Sequence, residues 1–142
     1  MEQAGLKAKD IDAIVFATNT PDFQAPGSGI LLQHKLDCRE IPAFDVHNTS
    51  PGFLYSLELA DGLIKTARYK TVLVVAAEVH SSVLDFSDKG RLMAVIFSDG
   101  AGAAILQATD EDKGFRDFIL HANGKDFEKL GCEGPSSLDR KS

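Results

Sequence analysis

The sequence predicts an α/β fold, with helices layered on a largely parallel sheet, and three observations carry that reading. Residues 11–18 (IDAIVFAT) and 71–79 (TVLVVAAEV) are nearly continuous apolar runs, the pattern of strands covered on both faces. Between them, Phe53, Leu57, Ala60, Ile64 and Ala67 recur at spacings of four, three, four and three, one face of an α-helix. The elements follow as strand, helix, strand, helix, strand and then a strand hairpin, an alternation that favours parallel strands with an antiparallel addition.

Composition bounds the function classes. A chain of 142 residues, 44% hydrophobic, suits one domain with a sizeable core. The net charge of −6 is spread out and contains no Lys/Arg cluster, which argues against nucleic-acid or anionic-membrane partners. The longest apolar run, residues 72–77, falls far short of the roughly 20 residues of a membrane helix. The charged N-terminus, MEQAGLKAKD, has no signal-peptide core. Cys38 and Cys132 lie far apart and His34, His47, His80 and His121 are scattered, so no metal-ligand spacing is present. Free thiols in a reducing cytoplasm are the expectation.

Taken in order, residues 2–9 read as the end of a short amphipathic helix, and 11–18 as the first buried strand. Residues 19–27 form a loop carrying Pro21 and Pro26. Ser28 is placed to cap a helix over 29–36. Residues 42–46 are a short strand, and the helix that follows begins at Ser50-Pro51, a favoured pair for N-cap and first helical position. Leu54, Leu59 and Leu63 widen that helix's apolar surface, which predicts burial between layers. Lys65 and Arg68 suit the negative end of its dipole. Glu78 closes the strand at 71–79 and is given no role; a polar loop, 80–90, follows. Residues 92–97 and 103–107 read as strands joined through Ser98-Asp99-Gly100-Ala101-Gly102, since Asp-Gly is a strong hairpin signal. Residues 115–121 read as one more strand, and irregular structure is expected beyond Asn123.

Four stretches, AGLKAKDIDAIVFATNTPD (4–22), PAFDV (42–46), GFLYSLELADGLIKTARYKTVLVVAAEVHS (52–81) and FSDGAGAAIL (97–106), occur in an order and spacing that resembles the condensing enzymes of the thiolase superfamily. The nearest resemblance is to the β-ketoacyl-acyl-carrier-protein synthase III family, and it covers nearly the whole chain. It implies a fold of two similar α/β halves stacked in five alternating layers, usually as a homodimer. Residues 1–142 then read as a single partial thiolase-like domain, the N-terminal half. The opening strand, and the second half with the family's catalytic His and Asn, are expected to be missing. Exposed sheet edges and apolar faces would follow, so self-association, or a partner supplying the missing half, is expected.

The resemblance implies acyl-CoA and acyl carrier protein as partners, no bound cofactor and no metal. In the family a Cys at the first turn of the buried helix takes an acyl group as a thioester, which a carbanion from malonyl carrier protein then attacks. A helix N-terminus favours the thiolate. Here that position is Ser50, followed by Pro51 in place of a small residue. A Ser hydroxyl needs an adjacent general base, and His47, three residues earlier, is the nearby candidate in the sequence. The blander reading makes Ser50 a helix cap and His47 a polar residue at a strand end.

Lys89 and Arg91 flank Gly90 where the resembled family holds the coenzyme A nucleotide, so they are candidate substrate-binding residues beside the plainer reading of a solvated turn. The glycines of residues 98–103 lack the GK[ST] ending of a P-loop, and close backbone packing beside the helix is the favoured account. Ala25 stands where the family often places a large apolar residue near the partner's acyl pocket. Two functional readings stay open: an acyl-transferring condensing enzyme using Ser50, or a non-catalytic ketosynthase half acting as an interaction module. An excised piece of an ordinary family member is the bland third.

Overall fold

The computed structural model of the chain describes residues 1–129 and 131; Cys132 lies outside them. Two 3-10 turns, Glu2–Ala4 and Ala8–Asp10, stand in place of the expected helix end. Gly5 between them is left-handed (φ 63°), which breaks any continuous helix, and the Asp10 carboxylate accepts from Lys7 N at 2.9 Å.

Four strands form one mixed sheet. β1 (Ala13–Ala17), β2 (Ala43–Val46), β3 (Thr71–Glu78) and β4 (Gly100–Gln107) lie in the order β2-β1-β3-β4. β1 pairs in parallel with β2 on one side and β3 on the other, and β4 runs antiparallel to β3. The connection from β1 to β2 carries helix α1 (Ser28–Lys35), and that from β2 back across to β3 carries α2 (Gly52–Lys65). These two crossovers travel in opposite directions along the sheet. Right-handedness of each therefore puts the helices on opposite faces.

Two cores result. Ala13, Val15, Val72 and Val74 meet Leu57 and Ala60 of α2, while Ile14 and Leu73 meet Leu32 of α1 and Leu36 just past its end. Successive strand residues thus serve opposite cores, which is why 11–18 and 71–79 lack polar alternation. Ile14, Val15, Val72 and Val74 are fully buried, each contributing about 1.5–3 kcal/mol. The α2 stripe read from the sequence is this inner face, but the helix ends at Lys65, and Ala67 turns left-handed (φ 57°). Burial between two layers is not what the structure shows. Leu54 and Leu59 on the outer side are 54% and 51% exposed, because one sheet covers one face only.

The hairpin at residues 92–107 is also corrected. Residues 91–94 form a short helix, α3 (Arg91–Ala94). The antiparallel partner of β4 is β3, in register from Thr71 with Gln107 to Glu78 with Gly100. Asp99 is no hairpin turn residue: its carboxylate accepts from Ser81 N at 2.8 Å and Ser81 Oγ at 2.6 Å, tying the entry of β4 to the exit of β3. Residues 92–97 (LMAVIF) form a short apolar run, and such a run does not by itself separate strand from helix.

Residues 115–121 contain no assigned strand; Phe118 instead packs against the α2-side core, and Tyr55 Oη donates to His121 O at 3.4 Å. Beyond Asn123 lies a kinked 3-10 segment, Gly124–Lys129. Ser28 is not the cap of α1 but its first residue, with Gly27 as the flanking position. The capping carboxylate comes from β2: Asp45 accepts from Ser28 N at 2.6 Å and Gly29 N at 2.8 Å. Among the described residues no helix is long and apolar enough to cross a membrane.

Candidate functional site

Parallel strands put their C-terminal ends on one edge of a sheet, and ligand sites of open α/β sheets gather there. β1 and β3 both end on that edge, β4 begins there, and α2 starts there after the turn that leaves β2. A small cavity of about 150 Å³ lies at this place, lined by Ala17 and Asn19 after β1, Thr49, Ser50 and Phe53 at the start of α2, and Ala76, Glu78, His80 and Phe97.

Ser50 reaches the cavity because the local chain does not use it as a cap. α2 begins at Gly52 with Pro51 in the flanking position, and no side chain caps it. The turn closes through backbone instead, Gly52 N donating to Thr49 O at 2.9 Å and Tyr55 N to Pro51 O at 3.1 Å. This corrects the expected Ser50 N-cap by one residue. The physical reason is that the Thr49 carbonyl takes the Gly52 N–H, while Pro51 has no N–H to satisfy. Gly52 matters for position too. A Cβ there would sit 3.2 Å from the Ala17 Cβ, so glycine lets the helix start close against the end of β1.

Glu78 is the best-connected side chain of the site. It accepts from Asn19 N at 2.9 Å, Thr20 Oγ1 at 2.6 Å and Thr18 Oγ1 at 3.4 Å, and Thr20 Oγ1 in turn accepts from Val79 N at 2.8 Å. The polar residue ending an apolar strand, given no role in the sequence, therefore fixes one wall. Asn19 Oδ1, on that wall, is buried with no hydrogen-bond partner among the described residues.

His80 forms another wall. Its Nδ1 lies 3.1 Å from Ser98 O, and its ring meets Phe97 with centroids 5.1 Å apart. The neighbouring Asp99 carboxylate is held below its usual range, first by the Ser81 hydroxyl, then by the Ser81 N–H, with a smaller contribution from His80.

The structure thus brings Ser50 to a cavity but leaves the other sequence-derived candidates outside it. His47 does not line the cavity. Lys89 and Arg91 are exposed and away from it, on the 79–99 connection and at the start of α3. Close packing around the glycines of 98–103 is not found: nothing lies within 4 Å of a Cβ built on Gly100 or Gly102. They sit on exposed β4 backbone. Sequence reasoning misses His80, although it directly follows Val79 at the end of a strand that had to lie beside the start of α2. Among the described residues no three His, Cys, Asp or Glu side chains gather to hold a metal ion. A larger open groove of about 1010 Å³ runs along β2 and the outer side of α2, past Phe44, Leu59 and Phe118. It touches none of the sequence-predicted site residues, so the small cavity is the candidate site.

A mostly parallel sheet with a helix starting at its C-terminal edge, and Ser50 beside a cavity there, is an α/β arrangement, and the solved structures that share it are thiolase-like. The comparisons make this specific. The family model for 3-oxoacyl-[acyl-carrier-protein (ACP)] synthase III matches residues 44–124, and the chain belongs to that family. The β-ketoacyl-[acyl-carrier-protein] synthase III of Rickettsia canadensis is 39% identical over 142 residues, all of this chain and 44% of the relative. That of Rhodospirillum rubrum is 42% identical over 144 residues, 96% of this chain and 44% of the relative. Among solved structures, the 3-oxoacyl-(acyl carrier protein) synthase III of Pseudomonas aeruginosa superposes with a TM-score of 0.86 at 31% identity, covering 96% of this chain and 43% of that one. The Thermus thermophilus enzyme gives 0.81 at 37%, covering 89% and 39%. The chain spans less than half the length of these relatives and corresponds to the N-terminal half of their fold.

Proposed function

We propose that the chain is the acyl-accepting half of a synthase III-type condensing enzyme in fatty-acid or polyketide biosynthesis, in which Ser50 takes an acyl group from acyl-CoA. The single observation that carries this is Ser50 in a cavity at the start of α2, with its side chain not used in capping. The helix N-terminus supplies partial positive charge and free N–H groups for an oxyanion. Lys89 and Arg91, exposed on the connection that leads to the cavity wall at Phe97, are proposed to meet the nucleotide phosphates by charge pairing. Acyl carrier protein would be the second substrate, and a second copy or a separate half would complete the site in the cytoplasm. An ester is less reactive than a thioester toward a carbanion, so acylation at Ser50 favours acyl transfer or hydrolysis over condensation.

A second reading has its own support. The outward Leu54 and Leu59 of α2, with Leu92, Val95 and Ile96, leave much apolar surface exposed, as a non-catalytic interaction module would need. Intact-mass measurement after incubation with short-chain acyl-CoA decides between them. One acyl adduct on the protein, absent from Ser50→Ala, is expected. An adduct on Ser50→Cys alone would mean that the cavity binds donor but the serine is inert, which favours the second reading. No adduct on either protein at saturating donor would overturn the acyl-accepting site.

A further inference from the structure

We propose that His80 is the general base for Ser50, so that this chain carries a nucleophile–base pair of its own at the end of β3; the proposal rests on the acyl-accepting reading of Ser50. Three observations carry it. Ser50 and His80 line the same small cavity, from two different elements. The His80 ring is fixed on two sides, by Phe97 and by the Ser98 carbonyl. A carbonyl oxygen can only accept, so Nδ1 must carry the proton in the bond to Ser98 O. In the neutral ring that leaves Nε2 with its lone pair free, the state a general base requires.

The surroundings suit the charge that would follow. Asp99 stays ionised through its two bonds from Ser81 and lies near enough to His80 for their charges to interact. Glu78 places a carboxylate on the cavity wall itself. A nucleophile, a base and a group that orients the base is the general arrangement of covalent acyl transfer. Here the orienting group is the Ser98 carbonyl, with Asp99 nearby to stabilise the imidazolium.

The step balances without a further reactant. Ser50 Oγ attacks the thioester carbonyl of acyl-CoA, and its proton passes to His80 Nε2. The Oγ–C bond forms, the tetrahedral intermediate collapses and the C–S bond breaks. The departing coenzyme A thiolate then takes the proton from the imidazolium, leaving an acyl-serine ester, free coenzyme A and neutral His80.

The test is the rate of acyl-adduct formation on the full chain, followed by intact mass with acetyl-CoA, for the wild type and for His80→Asn. An Asn amide still offers an N–H toward the Ser98 carbonyl but has no proton-accepting Nε2, so the bond from position 80 to Ser98 O is kept while the base is removed. The expected result is adduct formation slower by about 10²-fold or more, the usual contribution of a general base. In a Ser50→Cys background the same substitution should cost less, since a thiol is already partly thiolate near neutral pH. A wild-type adduct that forms at an unchanged rate in His80→Asn overturns the His80 proposal and leaves the Ser50 reading standing. Equal losses in the wild-type and Ser50→Cys backgrounds also overturn it, marking a structural role. A wild type that takes no acyl group at all overturns both.

Discussion

Two carboxylates join β1 to β3 at opposite ends of the same pair of strands, and they do it differently. Asp12, just ahead of β1, accepts from Lys70 N and Thr71 N, each at 2.9 Å, and pairs with Arg39. Glu78, at the end of β3, accepts from Asn19 N and from the Thr20 and Thr18 hydroxyls just after β1. The topological job is the same: each holds a parallel pair together where its backbone ladder stops. At the Asp12 end a guanidinium neutralises the charge, and Asp12 lines neither of the two cavities described above. At the Glu78 end no cation pairs with the carboxylate among the described residues, and the side chain faces the space beside Ser50 and His80. The difference separates a tie that only stabilises from one that also shapes the site.

Substitution at the two ends should therefore give different signatures. Asp12→Ala leaves two backbone N–H groups without their acceptor, one of them on buried Thr71. Hydrogen bonds to a charged group are worth more than neutral ones, so the expected loss is about 2–3 kcal/mol in urea denaturation. Acyl-adduct formation, proposed above at Ser50, should be unaffected by this substitution. A stability loss too small to resolve would break the comparison at its first term.

Glu78→Gln keeps one acceptor oxygen and loses the charge, so the expected loss of stability is smaller, about 1 kcal/mol. Its effect on adduct formation should be the larger of the two, several-fold slower, because the 18–20 turn that it holds forms one wall of the cavity. Stability loss equal to that of Asp12→Ala with unchanged acylation would make the two ends equivalent.

These ties also explain which parts of the molecule are legible in the sequence. The double-sided strands and the inner stripe of α2 can be read because apolar periodicity records which residues meet a core. Ser50 can be found through a resemblance carried by ordered motifs. His80 and Glu78 cannot, since a single polar residue after an apolar strand has no periodic signal. The role of Glu78 comes from β1 and β3 being neighbours, a pairing between residues about 60 apart in the chain. Residues 92–97 fail for another reason. The run LMAVIF is too short to fix a period, and β4 pairs instead with β3, a tertiary ladder beside whose end the Ser81–Asp99 bonds lie.

The smallest expected effect concerns acid. Burial alone would raise the Asp12 carboxyl, but the hydrogen bonds from Lys70 and Thr71 and the bond and charge of Arg39 outweigh it and hold the group below its ordinary value of 3.8. A carboxyl lowered in the folded state binds its proton less readily there than in the unfolded chain. It therefore contributes stability that is fully present above the unfolded value and is lost as pH falls through the folded one. The stability gap between the wild type and Asp12→Asn should be widest near neutral pH and should narrow below pH 3.8. Partial solvent exposure of the Arg39 pair (side chains 51% and 26% exposed) keeps this contribution modest. Urea midpoints for both proteins at neutral pH and at about pH 3 measure it, and a gap that widens in acid would reverse the sign assigned to Asp12.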